Sequence, residues 1–251
     1  MFPLYDENPS VRTPWVTIAL IALNLMAWVG LQGFGAQRDL AESVCRFGLI
    51  PAALLGDLPA GVPITVGSQY LCMPPLDTAW LTPLTSMFMH GSWLHIVGNL
   101  WFLWVFGDNV EDAMGAKRFL AFYLLGGLAA AAAQTSTDPG SAVPMVGASG
   151  AIGAVMGGYA VLYPKARVQM LVVLGFLITR IGVPAVFMLG YWFFLQLLGG
   201  LPSLSGGQAG VAFWAHVGGF IAGLVLAPLL ARKGYVQQHL EQPRRQTRQW
   251  F

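Results

Sequence analysis

A serine within a run of very small residues is the first group in this sequence that could do chemistry. Ser149 is followed at intervals of four by Gly153 and Gly157, which places all three on one face of a helix. Such a face lets the backbone of a neighbouring helix come very close. Taken alone, the pattern is typical of helix packing, with the serine hydroxyl bonded back to its own helix.

A second face of the same kind carries a histidine. His216, Gly219 and Gly223 share one side of a later apolar segment. Two glycine faces can pack nearly backbone to backbone, which would bring the Ser149 hydroxyl and the His216 imidazole within about 3 Å. A neutral imidazole can remove the serine proton near physiological pH and so create a nucleophile. By itself, His216 would fit a hydrogen bond between helices equally well.

A third segment supplies groups that could stabilise an oxyanion. His95 and Asn99 lie four residues apart on one face, and the backbone N–H groups around Ser149 open a helix. His95 and Asn99 could instead only join helices. No carboxylate suits a catalytic triad, because Asp108 lies about 20 Å along the helix from His95 and Asp138 belongs to a loop. A Ser149–His216 dyad is the prediction.

Metal and cofactor sites are not expected. His90 and His95 form no HExxH motif and have no carboxylates near them, and Cys45 and Cys72 show no ligand spacing. The two cysteines fall in one hydrophilic loop, where they could form a disulfide or remain free.

The composition is that of a membrane protein. Of the 251 residues, 56% are hydrophobic and 10% are charged, against about 25% charged in soluble domains. No basic face with interleaved aromatic residues points to nucleic acid. Hydropathy predicts an all-α bundle that forms one membrane domain over 1–251, with a 35–91 outer loop and six spans at 14–34, 92–108, 118–134, 146–163, 183–199 and 212–231. The apolar stretch 168–178 is too short to cross and is expected to be interfacial or re-entrant.

Charge placement predicts the orientation. With 1–13 and the basic tail 232–251 in the cytoplasm, only Arg38 and Arg46 of the 13 Lys and Arg residues fall outside. The tail would then lie against anionic lipid. The second, fourth and sixth spans all run from outside to inside, so His95, Asn99, Ser149 and His216 come to the same depth near the outer surface. Polar groups that converge within a membrane are usually functional.

With these residues the sequence resembles the rhomboid intramembrane serine proteases. The matching segments, in the order of that family, are 90–99 (HGSWLHIVGN), 106–112 (FGDNVED), 147–150 (GASG) and 215–219 (AHVGG). The resemblance implies a six-helix rhomboid-like bundle, a Ser149 nucleophile and a His216 base. It also implies an oxyanion site of His95, Asn99 and the Ser149 N–H, and a structural role for Glu111. Some members have an aromatic residue against the catalytic histidine where this chain has Gly153.

The expected function is hydrolysis of a peptide bond in or near the transmembrane segment of a single-span membrane protein, through an acyl-enzyme. The alternatives are a non-catalytic rhomboid-like protein that binds membrane clients, and a small-solute channel or transporter. A channel would need polar residues along its depth, whereas these cluster at one level. The expected location is the cell (inner) membrane, with the active site facing the outer, periplasmic side.

Overall fold

The computed structural model describes residues 2–67, 70–174, 177–204 and 212–241, most of them helical. The helices are α1 (Trp15–Gly30), α2 (Gln37–Phe47), α3 (Pro51–Leu55), α4 (Thr82–Thr85), α5 (Trp93–Met114), α6 (Ala116–Thr137), α7 (Ser149–Leu162), α8 (Ala185–Leu204), α9 (Phe213–Leu230) and α10 (Lys233–Glu241). The strands are β1 (Phe2–Asp6), β2 (Ile64–Val66), β3 (Tyr70–Cys72), β4 (Arg167–Leu174) and β5 (Leu177–Pro184).

The all-α expectation is wrong at both places where strands form. β1, β4 and β5 make an antiparallel sheet in which β4 is central, and Phe2 pairs with Leu171 and Asp6 with Val168. Side chains of β4 alternate between buried Val168, Met170 and Val172 and half-buried neighbours, as expected for a strand with one face on the core. In the stretch 168–178, which was expected to be interfacial or re-entrant, the described residues 168–174 and 177–178 belong to the paired strands β4 and β5. A smaller antiparallel pair, β2 with β3, lies in the first long loop.

Among the described residues, three helices are long and apolar enough to cross a membrane by length and composition: Ala116–Thr137, Ala185–Leu204 and Phe213–Leu230. Trp15–Gly30 and Ser149–Leu162 are shorter apolar helices. The described part of the chain is thus mostly helical and contains candidate membrane spans.

α5 continues to Met114, past the acidic residues at which its span was expected to end. These acids are satisfied by the chain's N-terminal region. The Glu111 carboxylate accepts hydrogen bonds from the Val16 and Thr17 N–H groups, at 2.9 and 2.8 Å, and so caps the start of α1. Asp112 forms an ion pair with Arg12, at 2.8 Å. Glu111 therefore ties the end of α5 to the start of α1.

α7 and α9 form the tightest contact between helices. A Cβ on Gly219 would stand 2.0 Å from the Gly150 carbonyl oxygen, and one on Gly223 would stand 2.0 Å from the Ala154 carbonyl oxygen. On the facing helix, a Cβ on Gly157 would stand 2.2 Å from the Phe220 carbonyl oxygen. Only hydrogen fits at these positions, so the glycine faces allow the two backbones to touch.

The loop between α1 and α5 is tied down along its length. Cys45 and Cys72 form a disulfide that joins α2 to β3. Leu49 and Met145 exchange backbone hydrogen bonds of 2.9 and 2.7 Å, which attach this loop to the segment that precedes α7. The loop therefore packs beside the residues that lead into Ser149.

Two expected segments fall outside the described residues. They are residues 205–211 of the expected connection between the last two spans, 200–211, and the part of the basic tail that follows residue 241, with Arg244, Arg245 and Arg248.

Candidate active site

The predicted residues meet at one end of the bundle because three helices begin there. His95 is the third residue of α5, Ser149 the first of α7 and His216 the fourth of α9. α5 starts where the Ser92 side chain accepts a hydrogen bond from the His95 N–H, an N-terminal cap. The common starting level of the helices gives these side chains the same depth.

The structure brings Ser149 and His216 into hydrogen-bond contact. The distance from Ser149 Oγ to His216 Nε2 is 2.8 Å. Gly153, one turn after the serine, lies against the backbone of His216, and a Cβ there would stand 3.1 Å from the His216 carbonyl oxygen. The absence of a side chain at Gly153 thus helps α9 to approach α7 closely. A large aromatic side chain at this position would fit only if α9 moved away.

Residues of α8 contact the side of the His216 imidazole that faces away from Ser149. His216 Nδ1 lies 2.8 Å from Gln196 Oε1. The Trp192 ring, one turn earlier on α8, lies 5.8 Å from the His216 ring between centroids. The aromatic contact to this histidine therefore comes from α8 and not from the residue four positions after the serine.

Backbone N–H groups point out of the start of α7. The first intrahelical bond of the segment runs from Ile152 N to Ala148 O, so the N–H groups of Ser149, Gly150 and Ala151 precede it. Gly147 makes the turn that exposes these N–H groups. Its φ of +127° is a conformation that favours glycine. Its own N–H bonds the Ser86 carbonyl oxygen at 2.9 Å, which holds the turn in place.

His95 lies across this turn from the serine. A Cβ on Gly147 would stand 2.7 Å from His95 Nε2 and 3.4 Å from Ser149 Oγ, so both atoms border the same small space. His95 Nδ1 lies 3.3 Å from the Gly91 N–H and accepts its hydrogen bond. In a neutral ring this leaves the proton on Nε2, which then faces the space as a donor.

Asn99 lies one turn further along α5. Its side chain is buried, and its Nδ2 has no hydrogen-bond partner in the part of the chain that the structure describes. A buried amide donor without a partner costs free energy, so its presence needs an explanation.

A cavity opens beside the serine. It has an empty volume of about 320 Å³ including its mouth, and it is lined mainly by small and apolar residues of the segment before α7, of α6 and of the start of α9. Ser149 and Gly147 form part of its wall, with Met87 and Ala215.

His90 is buried near the site but does not join it. Its ring lies 5.2 Å from the His95 ring, and its backbone is held by Gln32 through bonds of 2.7 and 2.8 Å. Burial, with a smaller contribution from the nearby His95, lowers the pKa of His90 from its usual 6.5 to about 3. Among the described residues no group of three metal-binding side chains occurs.

Comparison with known proteins places the chain in a family. The model of the Rhomboid domain matches residues 77–233, more than half of the chain. The chain belongs to the rhomboid family. The matched region contains the helices that carry His95, Ser149, Gln196 and His216.

Three curated relatives show how this rhomboid chain compares with named proteins. It is 33% identical over 96 residues to the presenilin-associated rhomboid-like protein A, mitochondrial, of Danio rerio. The aligned residues are 38% of this chain and 25% of that protein. It is 39% identical over 74 residues to the rhomboid-like protein 11, chloroplastic, of Arabidopsis thaliana, 30% of this chain and 26% of that protein. It is 27% identical over 99 residues to the rhomboid protein 1, mitochondrial, of Saccharomyces cerevisiae, 38% of this chain and 29% of that protein. The matches thus span little more than a quarter of each relative.

One residue of the candidate site, Gln196, is not among the residues predicted from the sequence. Gln196 is the only amide or charged side chain between Ala185 and Leu204. An amide alone in so apolar a helix is itself a signal of a functional contact. Nothing in its spacing points to His216, which lies 20 residues further along on another helix.

Proposed function

We propose that this rhomboid-family chain is an intramembrane serine endopeptidase that acts through Ser149 and His216. The observation that carries the proposal is the 2.8 Å contact between Ser149 Oγ and His216 Nε2, at the point where two helices touch through glycine. A hydroxyl and an imidazole in this arrangement are a nucleophile and its general base.

The reaction follows from the atoms in place. Ser149 Oγ attacks the carbonyl carbon of the scissile peptide while His216 Nε2 takes its proton. The negative oxygen of the tetrahedral intermediate is stabilised by the Ser149 N–H, His95 Nε2–H and the Asn99 amide. His216 then gives the proton to the leaving amine, and an acyl-enzyme remains. Water deprotonated by His216 cleaves this ester, and the proton returns to Ser149.

The substrates we propose are single-span membrane proteins, cut in or near their transmembrane segment. Helix-destabilising segments should be preferred, because an intact helix shields its carbonyl carbons from attack. We further propose six spans formed by α1, α5, α6, α7, α8 and α9, with both termini on the side of the basic segments. The Ser149 end then faces the opposite side of the membrane.

The compartment is a separate matter from this orientation. From the sequence we expect the cell (inner) membrane, whereas the relatives described above are named as mitochondrial or chloroplastic proteins. We therefore propose only that the site lies at the end of the bundle opposite the basic segments, in whichever membrane holds the protein.

The test is cleavage by purified protein in proteoliposomes, with a panel of single-span substrates and mapping of the cut site. Wild-type protein is expected to cut at one or a few bonds near the end of the substrate's span. Ser149→Ala is expected to keep the wild-type thermal midpoint and to cut nothing. Cleavage by Ser149→Ala at the wild-type rate would exclude the dyad. A wild-type protein that captures the substrates without cutting them would instead support the client-binding alternative.

A further inference from the structure

The imidazole of His216 has a second partner on a helix that does not carry the nucleophile. Gln196 Oε1 lies 2.8 Å from His216 Nδ1, on the side of the ring away from Ser149. Gln196 is half-buried, as is His216. The two hydrogen bonds together connect α7, α9 and α8 through one imidazole.

The orientation of the Gln196 amide is set by its own helix. Gln196 Nε2 donates to the Trp192 carbonyl oxygen at 3.3 Å, so the oxygen end of the amide is the end that faces His216. The reverse orientation would place Oε1 against that carbonyl oxygen, with two acceptors in contact and no proton between them. The hydrogen-bond pattern of α8 therefore selects the acceptor for presentation to the histidine.

An amide oxygen only accepts hydrogen bonds, so it selects one tautomer of the neutral imidazole. Nδ1 must carry the proton that Gln196 receives, which leaves the lone pair on Nε2. Nε2 is the atom that lies 2.8 Å from Ser149 Oγ, and only with its lone pair free can it take the serine proton. Trp192, which contacts the His216 ring from the same helix, limits rotation of the imidazole away from this alignment.

We propose that Gln196 is the positioning residue of this site, and that it does for His216 through an uncharged amide what a carboxylate does in a serine triad. The proposal rests on the proposed function, since it assigns a role toward the same base. The acids of α5 lie toward its far end: Asp108 is about 20 Å along the helix from His95, and Glu111 and Asp112 follow it and bond the N-terminal region. An acceptor on α8 therefore supplies the contact that no carboxylate of α5 can reach.

The arrangement ties the base to the position of α8. Gln196 and Trp192 are neighbours one turn apart on this helix, and both touch His216. A displacement of α8 from α9 would remove the Nδ1 acceptor and the ring contact together. The imidazole would then be free to rotate or to take the other tautomer, in which Nε2 carries the proton and cannot act as the base.

The experiment compares two substitutions at this position. Gln196→Met keeps the length and shape of the side chain but offers no comparable acceptor, and Gln196→Glu keeps an acceptor that can receive the Nδ1 proton. Gln169→Met is the matched control, because Gln169 lies on β4 and its amide bonds Glu7, away from Ser149. The readouts are kcat and KM for a transmembrane peptide in micelles, the thermal midpoint, and the ¹⁵N chemical shifts of the His216 ring.

We expect Gln196→Met to lower kcat at least tenfold, with KM and the thermal midpoint near those of wild-type protein. Gln196→Glu should recover most of the loss, and Gln169→Met should match wild-type kcat. A wild-type kcat in Gln196→Met would overturn the proposal, as would a folded Gln196→Glu no faster than Gln196→Met. If the Glu variant does not fold, the ring spectrum decides between the two outcomes.

The ring spectrum needs no substrate and so separates this proposal from the proposed function. Wild-type His216 is expected to show the Nδ1–H tautomer, and Gln196→Met should show a mixture of both tautomers. An Nε2–H tautomer in wild-type protein would overturn the assignment of Gln196. A wild-type protein that shows the Nδ1–H tautomer but cleaves no substrate would overturn the proposed function and leave the Gln196 contact supported.

Discussion

Gly219→Ala is expected to separate the two reacting groups without unfolding the protein. The added methyl carbon would stand 2.0 Å from the Gly150 carbonyl oxygen, and ordinary contacts begin at 3.4 Å, so α7 and α9 must part by about 1.4 Å there. His216 lies one turn before Gly219 and moves with it. Its distance from Ser149 Oγ then grows from 2.8 Å to beyond the 3.5 Å reach of a hydrogen bond.

A misplacement of about 1 Å in a catalytic pair can cost about 100-fold in rate. We therefore expect labelling of Ser149 by a fluorophosphonate probe, and cleavage of a transmembrane peptide, to fall about 100-fold in Gly219→Ala. Overpacking of this kind costs about 1 to 3 kcal/mol of stability, so the thermal midpoint should fall by a few degrees while the protein remains folded.

Gly190→Ala on α8 is the matched control, because a Cβ there meets no atom within 4 Å. It should keep the wild-type rate, with a thermal midpoint equal to or above that of wild-type protein, since alanine favours a helix over glycine by about 1 kcal/mol. Wild-type labelling by a folded Gly219→Ala would refute the argument from glycine packing. An equal loss in Gly190→Ala would show that the effect is not specific to the contact of α7 with α9.

Three further predictions concern the surroundings of the site. Asn99→Ala should lower kcat about 100- to 1000-fold with little change in KM, as for loss of an oxyanion donor; a lowered thermal midpoint with unchanged kcat would assign Asn99 to helix packing instead. Replacing Cys45 and Cys72 by serine should cost about 3 to 4 kcal/mol, from the 27-residue separation that the disulfide closes, and an unchanged thermal midpoint would count against this. His90, with its pKa lowered to about 3 by burial, is neutral when folded but takes up a proton when unfolded below pH 6.5. Its contribution to stability is therefore present above pH 6.5 and lost as the pH falls, by about 2 kcal/mol at pH 5, so His90→Phe should lose less stability than wild-type protein between pH 7 and pH 5.

The part of the site that could be read from the sequence is the part that follows helical spacing. Ser149 with its glycines, and His216 with Gly219 and Gly223, each define one face of one helix. Two such glycine faces favour close packing of their helices, and in the structure α7 and α9 pack against each other in this way. The periodicity of single helices was sufficient for this inference.

Contacts that depend on a third helix could not be read in this way. Gln196 meets His216 only because α8 packs beside α9 at a particular rotation, and no spacing within α8 encodes that rotation. Gly153 was conspicuous as a missing aromatic residue, but the replacement contact from Trp192 comes from the same α8 packing. The strands were missed for a related reason, because β1 and β4 pair across more than 160 residues of chain.

The charges of α5 show a different limit. The expected second span ends at 108, and α5 continues beyond it to Met114 with the acidic residues Glu111 and Asp112. These acids are satisfied within the fold, because the N–H groups at the start of α1 bond Glu111 and Arg12 pairs with Asp112. These contacts depend on how the N-terminal region packs against α5, which the spacing of residues within either segment does not indicate.

The most direct test of the central claim is the identity and base-dependence of the reactive serine. Purified protein is treated with a fluorophosphonate probe, and the modified residue is located by peptide mapping in wild-type protein and in His216→Ala. We predict modification at Ser149 alone, at a rate that falls by at least 100-fold in His216→Ala while the thermal midpoint stays close to that of wild-type protein. Modification at another serine, or labelling of Ser149 at the wild-type rate in folded His216→Ala, would contradict the account.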